Sequence, residues 1–197
     1  MPRILDAAAR DKAVIEAAWQ VIAREGITAL TVRRVAAQAG LAPSSLRYTF
    51  PTQAVVREKA LTAVSHHLTA RVDALPADLD GPAWARAALL ELLPLDPQRR
   101  LEMEVFLALG IAAMADDTLL PIWNEADAVV RDVCARALAA AGAEPAVLDV
   151  NRLHALIDGL AFHLLVRDQG ADWARDVVDS ELAEAAVLGW GDDDHRD

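Results

Sequence analysis

Residues 31–50 read TVRRVAAQAGLAPSSLRYTF, and the spacing within them decides how the N-terminal part folds. Two helices crossing steeply over a three- or four-residue turn need a small residue where they touch, and Ala36 supplies it. The turn needs a residue that tolerates positive φ, which Gly40 does. Thr31 has the hydroxyl of an N-cap for a short helix through Ala39. Pro43 stands where a first helical residue would, and opens a second short helix through about Thr49. Leu46, with Val35 and Leu41, fills the wedge between the two. The Ala36, Gly40, Leu46 spacing is that of a helix-turn-helix, although a plain αα-hairpin shares its Ala-to-Gly part.

Outward from this stretch the pattern stays helical, and no segment alternates long enough to make a sheet. A first helix is expected over about 8–25, with Val14, Ala18, Val21 and Ile22 as its apolar stripe and Gly26 as its stop. Pro51 and Thr52 introduce a long helix to about Leu75. Pro76 and the Asp80-Gly81-Pro82 breaker then separate an N-terminal module from the rest. Further helices are expected at about 82–93, 98–115, 119–141, 146–168 and 172–189. Their start signals are Asp96-Pro97, Thr118 with Pro121, Glu144-Pro145 and Asp172, and Gly142 and Gly170 are their stops. The fold class is therefore all-α, with about nine helices and a polar tail over 191–197.

Composition supports a packed chain: 197 residues, 54% hydrophobic and 25% charged. The longest apolar stretch, Val105 to Ala115, is too short to span a bilayer. The N-terminal residues carry no apolar core with a cleavage site, and Cys134 is the single cysteine, so a cytoplasmic protein without disulfides is expected. The net charge of −11 is unevenly spread. Residues 1–71 hold ten Lys and Arg against five Asp and Glu; residues 72–197 hold nine against twenty-five. A basic end attracts phosphates while an acidic body is repelled by them.

The second helix of the motif would present Ser44, Ser45, Arg47 and Tyr48 outward, suited to base edges and phosphates of double-stranded DNA. At this point residues 8–68 resemble the tetracycline-repressor (TetR) family of bacterial regulators. The first helix ends in IAREG, Thr31 opens the next, Gly40 makes the turn, and Ser45-Leu46-Arg47-Tyr48-Thr49-Phe50-Pro51 matches the family's Ser-Leu, tyrosine-rich, Phe-Pro stretch. The resemblance implies a dimeric, all-helical regulator. Its first three helices (domain 8–68, motif 31–50) bind DNA, and residues 76–191 hold an effector pocket and the dimer interface. The implied DNA-facing residues are Thr31, Arg33, Pro43, Ser44, Ser45, Arg47, Tyr48, Thr49 and Gln53. Tyr48 is read as a phosphate contact and Phe50 as core. Of Arg33 and Arg34, one is expected to face phosphate and the other solvent. Arg3 and Arg10 form either a basic arm or a non-contacting terminus. The sequence departs from the family at Thr49, where His is usual, at Gln53, where Lys is usual, and at Arg47, the first tyrosine position. A shorter phosphate clamp, partly restored by Arg47, is expected.

Beyond residue 80 the signals are weaker. An apolar effector would sit among Trp84, Met103, Phe106, Leu107, Gly110, Met114, Trp123, Asn124 and Asp127, although many of these suit an ordinary core. The 153–166 segment, LHALIDGLAFHLLV, is apolar on more than one side, so it is covered by the body and by a second copy of the chain. Leu153, Leu156, Ile157, Gly159, Leu160 and Leu164 are the expected interface; a wholly internal helix is the alternative. His154 and Asp158 share a helix face, and their reading as a structural pair is preferred over a pocket or metal role. His66 and His67 point to different faces. No phosphate loop, nucleophile motif or metal-binding helix appears, so neither an enzyme nor a cofactor or metal is expected. The expected activity is ligand-responsive repression by a homodimer on a palindromic operator. The alternative is a helical protein that senses or sequesters a small molecule, with weak DNA binding.

Overall fold

The structure is a computed structural model that describes residues 7–167 and 170–188. Arg3, the 191–197 tail and the expected helix ends at residues 168 and 189 lie outside the described residues. Among those described there are nine α-helices and no strand. They are α1 (Ala7–Glu25), α2 (Val32–Gln38), α3 (Pro43–Leu46), α4 (Gln53–Asp73), α5 (Gly81–Glu91), α6 (Pro97–Ala113), α7 (Leu120–Ala140), α8 (Val147–Val166) and α9 (Asp172–Leu188). Two 3-10 turns, Ile27–Ala29 and Asp117–Leu119, punctuate them.

Contacts divide the chain into two compact units, and the division does not follow the Pro76–Pro82 punctuation. The first is drawn from Met1–His66 and Leu101–Ala126, the second from His67–Arg100 and Asp127–Asp197. In the first unit α1 packs on α2, and α2 on α3. The stripe expected of α1 is buried at Val14, Ala18, Val21 and Ile22, joined by Trp19, whose Nε1 donates to the Ala60 carbonyl of α4 at 3.0 Å. Leu30, Val35, Leu46, Phe50 and Leu61 complete this core. The Arg57 guanidinium of α4 meets Asp116 at 3.2 Å, and the same carboxylate caps the 3-10 turn through Thr118.

In the second unit α5 packs on α9, and Arg86 forks onto both oxygens of Asp179. Gly81 lets the start of α5 approach the Ala140 carbonyl so closely that a Cβ would collide with it. Glu91 receives both Arg71 (2.9 Å) and Arg99 (3.3 Å). Arg100 donates to the carbonyls of Leu164 and Leu165, orphan acceptors at the C-terminal end of α8. Asp80 and Asp96 cap α5 and α6 through the backbone N–H groups of Ala83 and Arg99.

Candidate nucleic-acid interface and effector site

The helix-turn-helix is built as its residues dictate. Thr31 Oγ1 accepts from the Arg34 N–H at 3.2 Å and opens α2. At the other end the Gly40 N–H donates to Ala37 and the Leu41 N–H to Ala36, a Schellman closure that requires the φ of +67° found at Gly40. Ala36 is wholly buried where the helices meet, and Leu46 plugs the wedge at 1% exposure. Pro43 is the first residue of α3. The α-helix ends at Leu46, so it is shorter than the 43–49 expected, and 47–49 continue as a turn that closes when the Phe50 N–H reaches the Leu46 carbonyl.

This geometry places Thr31, Arg33, Pro43, Ser44, Ser45, Arg47 and Tyr48 in solvent, while Thr49 and Gln53 are half-buried. Tyr48 is 96% exposed and Phe50 is 1% exposed, which separates a surface phenol from a core ring. Arg34 is paired with Glu25, whereas no described side chain pairs with Arg33 or Arg47. Ser45 donates its hydroxyl proton to the Ala42 carbonyl at 2.7 Å, so within α3 the hydroxyl of Ser44 is the one left to donate outward. Thr52 caps α4 through the Val55 N–H at 3.3 Å. The Arg34–Glu25 and Ser45–Ala42 contacts escaped sequence reasoning because both join groups across a turn.

The nine residues expected around an effector are not brought together as one set. Phe106 and Trp123 lie in the first unit with ring centroids 4.3 Å apart, and the Trp123 ring occupies the space a Gly110 side chain would need. Met103 and Leu107 are half-buried on the same helix. Met114 is 86% exposed and Asn124 is exposed, so neither lines a pocket; Met114 falls just past the end of α6, where its side chain turns to solvent. Trp84 belongs to the second unit and stacks beneath Arg136 at 5.1 Å. Asp127, also in the second unit, faces His154 at 3.6 Å. That unit carries an open groove of about 260 Å³ lined by Thr69, Val72, Ala128, Val129, Asp132, Val133 and Arg136, residues that sequence reasoning did not single out.

The expected dimer face needs correction. Leu153, Ile157, Leu160 and Leu164 are buried inside their own unit, so their side chains serve the core. Leu156 is half-buried and Gly159 exposed. Because α8 is apolar on two sides, composition alone did not tell the inner stripe from the outer one. Its outer side carries Leu148, Ala155, Gly159, Phe162 and Val166. Among the described residues no three acidic, histidine or cysteine side chains are spaced to hold a metal ion. No described helix is long and apolar enough to cross a membrane.

Residues 14–57 match the family described as "Bacterial regulatory proteins, tetR family", and residues 82–187 match "BetI-type transcriptional repressor, C-terminal". The chain is 30% identical over 172 residues to the HTH-type transcriptional regulator PksA of Bacillus subtilis (strain 168), covering 84% of this chain and 83% of that protein. A crystal structure of a transcriptional regulator from Rhodococcus sp. Rha1 matches with a TM-score of 0.77 at 23% identity, over 90% of this chain and 96% of that one. The multidrug binding protein EbrR, complexed with imidazole, matches at 0.61 and 28% identity, over 87% of this chain and 94% of that one. The chain belongs to the TetR family, with a C-terminal part of the BetI type: it is a DNA-binding transcriptional regulator, not an enzyme.

Proposed function

We propose that the protein is a ligand-responsive repressor that binds a palindromic operator as a homodimer in the cytoplasm. The observation that carries this reading is the solvent-facing set Arg33, Ser44, Arg47 and Tyr48, held on a turn that Gly40 and Leu46 lock from beneath. In this reading Arg47 takes a guanine edge or a phosphate, and Ser44, Tyr48 and Thr31 position the backbone, with Pro43 setting the helix start. Ser45, Thr49 and Gln53 line the rim of that contact. Two such heads sit about 34–36 Å apart on successive major-groove faces. An effector held in the helical body changes that separation and releases the operator. EbrR, itself a multidrug binding protein, supports a small-molecule effector.

The second copy is proposed to dock on the outer side of α8, around Ala155, Gly159 and Phe162, where small residues allow helices to approach closely. Phe162 is half-exposed, so Phe162→Glu leaves the core intact. Light scattering should then report a monomer; an unaltered dimer places the interface elsewhere. The DNA reading is tested by gel shift on the region upstream of the protein's own gene. Arg47→Ala should weaken binding by about 1–3 kcal/mol. Unchanged affinity removes Arg47 from the interface. The neutral Gln53 and Thr49 favour one competing reading, a sequestering protein with weak DNA binding, and specific retardation of that region excludes it.

A further inference from the structure

The second unit contains a polar cluster that neither the DNA reading nor the core accounts for. His154 lies on α8 with its side chain 7% exposed, and its Nε2 has no hydrogen-bond partner among the described residues. Two carboxylate oxygens face that nitrogen, Asp127 Oδ1 from α7 and Asp158 Oδ2 from the next turn of α8, each at 3.6 Å. Such separations lie within ion-pair range, so His154 and Asp158 do pair, but they are too long for hydrogen bonds and leave Nε2 without one. Buried polar atoms nearly always have a partner in protein, ordered water or a bound group, so this one needs an explanation. The carboxylates themselves are part-exposed, at 31% and 47%, which opens the cluster to solvent. Arg131, one turn along from Asp127, is engaged with Asn151 instead. Burial raises the Asp158 carboxyl above its ordinary range; His154 opposes that rise and Asp127 adds to it.

We propose that Asp127, His154 and Asp158 form a recognition site for the primary ammonium group of a small organic amine, which is the effector of the repressor reading above and rests on that reading. An R–NH3+ group carries three N–H donors; the two carboxylate oxygens accept directly, and Nε2 accepts the third in the neutral Nδ1–H tautomer of His154, the form that a neighbouring positive charge favours. The two carboxylates supply the opposite charge, and small outward rotations of their exposed side chains admit the guest. A quaternary ammonium has the charge but no donor and leaves Nε2 unsatisfied. A neutral alcohol can donate one proton and brings no charge.

Calorimetric titration of the full chain with n-hexylammonium, hexyltrimethylammonium and 1-hexanol tests this. The ammonium should bind at least about tenfold more tightly than either of the others, the worth of a single charge-assisted contact. The preference should vanish in Asp127→Asn and in Asp158→Asn, with folding checked by circular dichroism. The His154 Nε2 resonance should move on binding of the amine alone. Equal affinity for all three probes, or a preference intact in both variants, overturns the proposal. Operator release, read separately by gel shift, keeps the two readings apart. Amine binding of this pattern with the operator retained upholds the site and sinks the effector reading. Release by 1-hexanol with no amine preference does the reverse.

Discussion

Ser44 and Ser45 are adjacent, both exposed and chemically identical, yet only one has a free proton. Ser45 has given its own to the Ala42 carbonyl, and a phosphate oxygen can only accept. Ser44→Ala should therefore cost operator affinity on the order of 1 kcal/mol, whereas Ser45→Ala should change it little. Equal losses in a paired gel-shift series would show that Ser45 gives up its internal bond on DNA. Cys134 offers a second test at this scale. Burial, and after it the charge of Asp158, pushes its thiol up to about 12 from 9.0. The thiolate is the reactive form, so at pH 8 the native chain holds roughly a thousandfold less of it than an unfolded one. Thiol labelling should be slow in buffer and fast in urea; rapid labelling of the native chain would mean that this core opens readily.

At the scale of elements, the tightest lesson lies in α6 and α7. A Cβ on Gly110 would stand 2.6 Å from Trp123, and that ring is already held against Phe106. Gly to Ala inside a helix gains about 1 kcal/mol of propensity, but overpacking costs about 1–3. Phe106 holds one face of that ring, so the clash should outweigh the propensity, and Gly110→Ala should lower urea stability by up to about 2 kcal/mol. A gain in stability would show that the ring moves freely. Elements of this kind also mark how far the sequence could be read. The Thr31 cap, the Gly40 turn, the Pro43 start and the Leu46 wedge were all legible, because each depends on a few consecutive residues. So was the α1 stripe, through its period. The true end of α3, the inner side of α8 and the solvent position of Met114 were not, since each depends on what a distant segment covers. The candidate DNA face was readable by residue type, but the internal engagement of Ser45 and Arg34 required coordinates.

At the scale of the whole molecule, charge is the organising quantity. The N-terminal 71 residues carry a surplus of five positive charges, and the remainder a surplus of sixteen negative ones. Counterion release should make operator affinity fall steeply with salt, on the order of a thousandfold between about 50 and 200 mM if six phosphates are neutralised. The neutral Thr49 and Gln53 should make that slope shallower than lysine or histidine there would, so Gln53→Lys should steepen it by about one unit of log–log slope per phosphate gained. A flat response in a salt series would remove electrostatics from the account of binding.

The indole of Trp19 has a consequence of its own. Its N–H grips the Ala60 carbonyl, two full turns inside α4 rather than at an end. That bond rivets α1, and through its packing α2 and α3, to the first turns of α4. In the repressor reading proposed above, a turn of α4 there would move the whole reading head like a key on its stem, leaving its teeth uncut. For the homodimer proposed above, release of DNA would then be a matter of where the two keys point, with each still shaped to its lock.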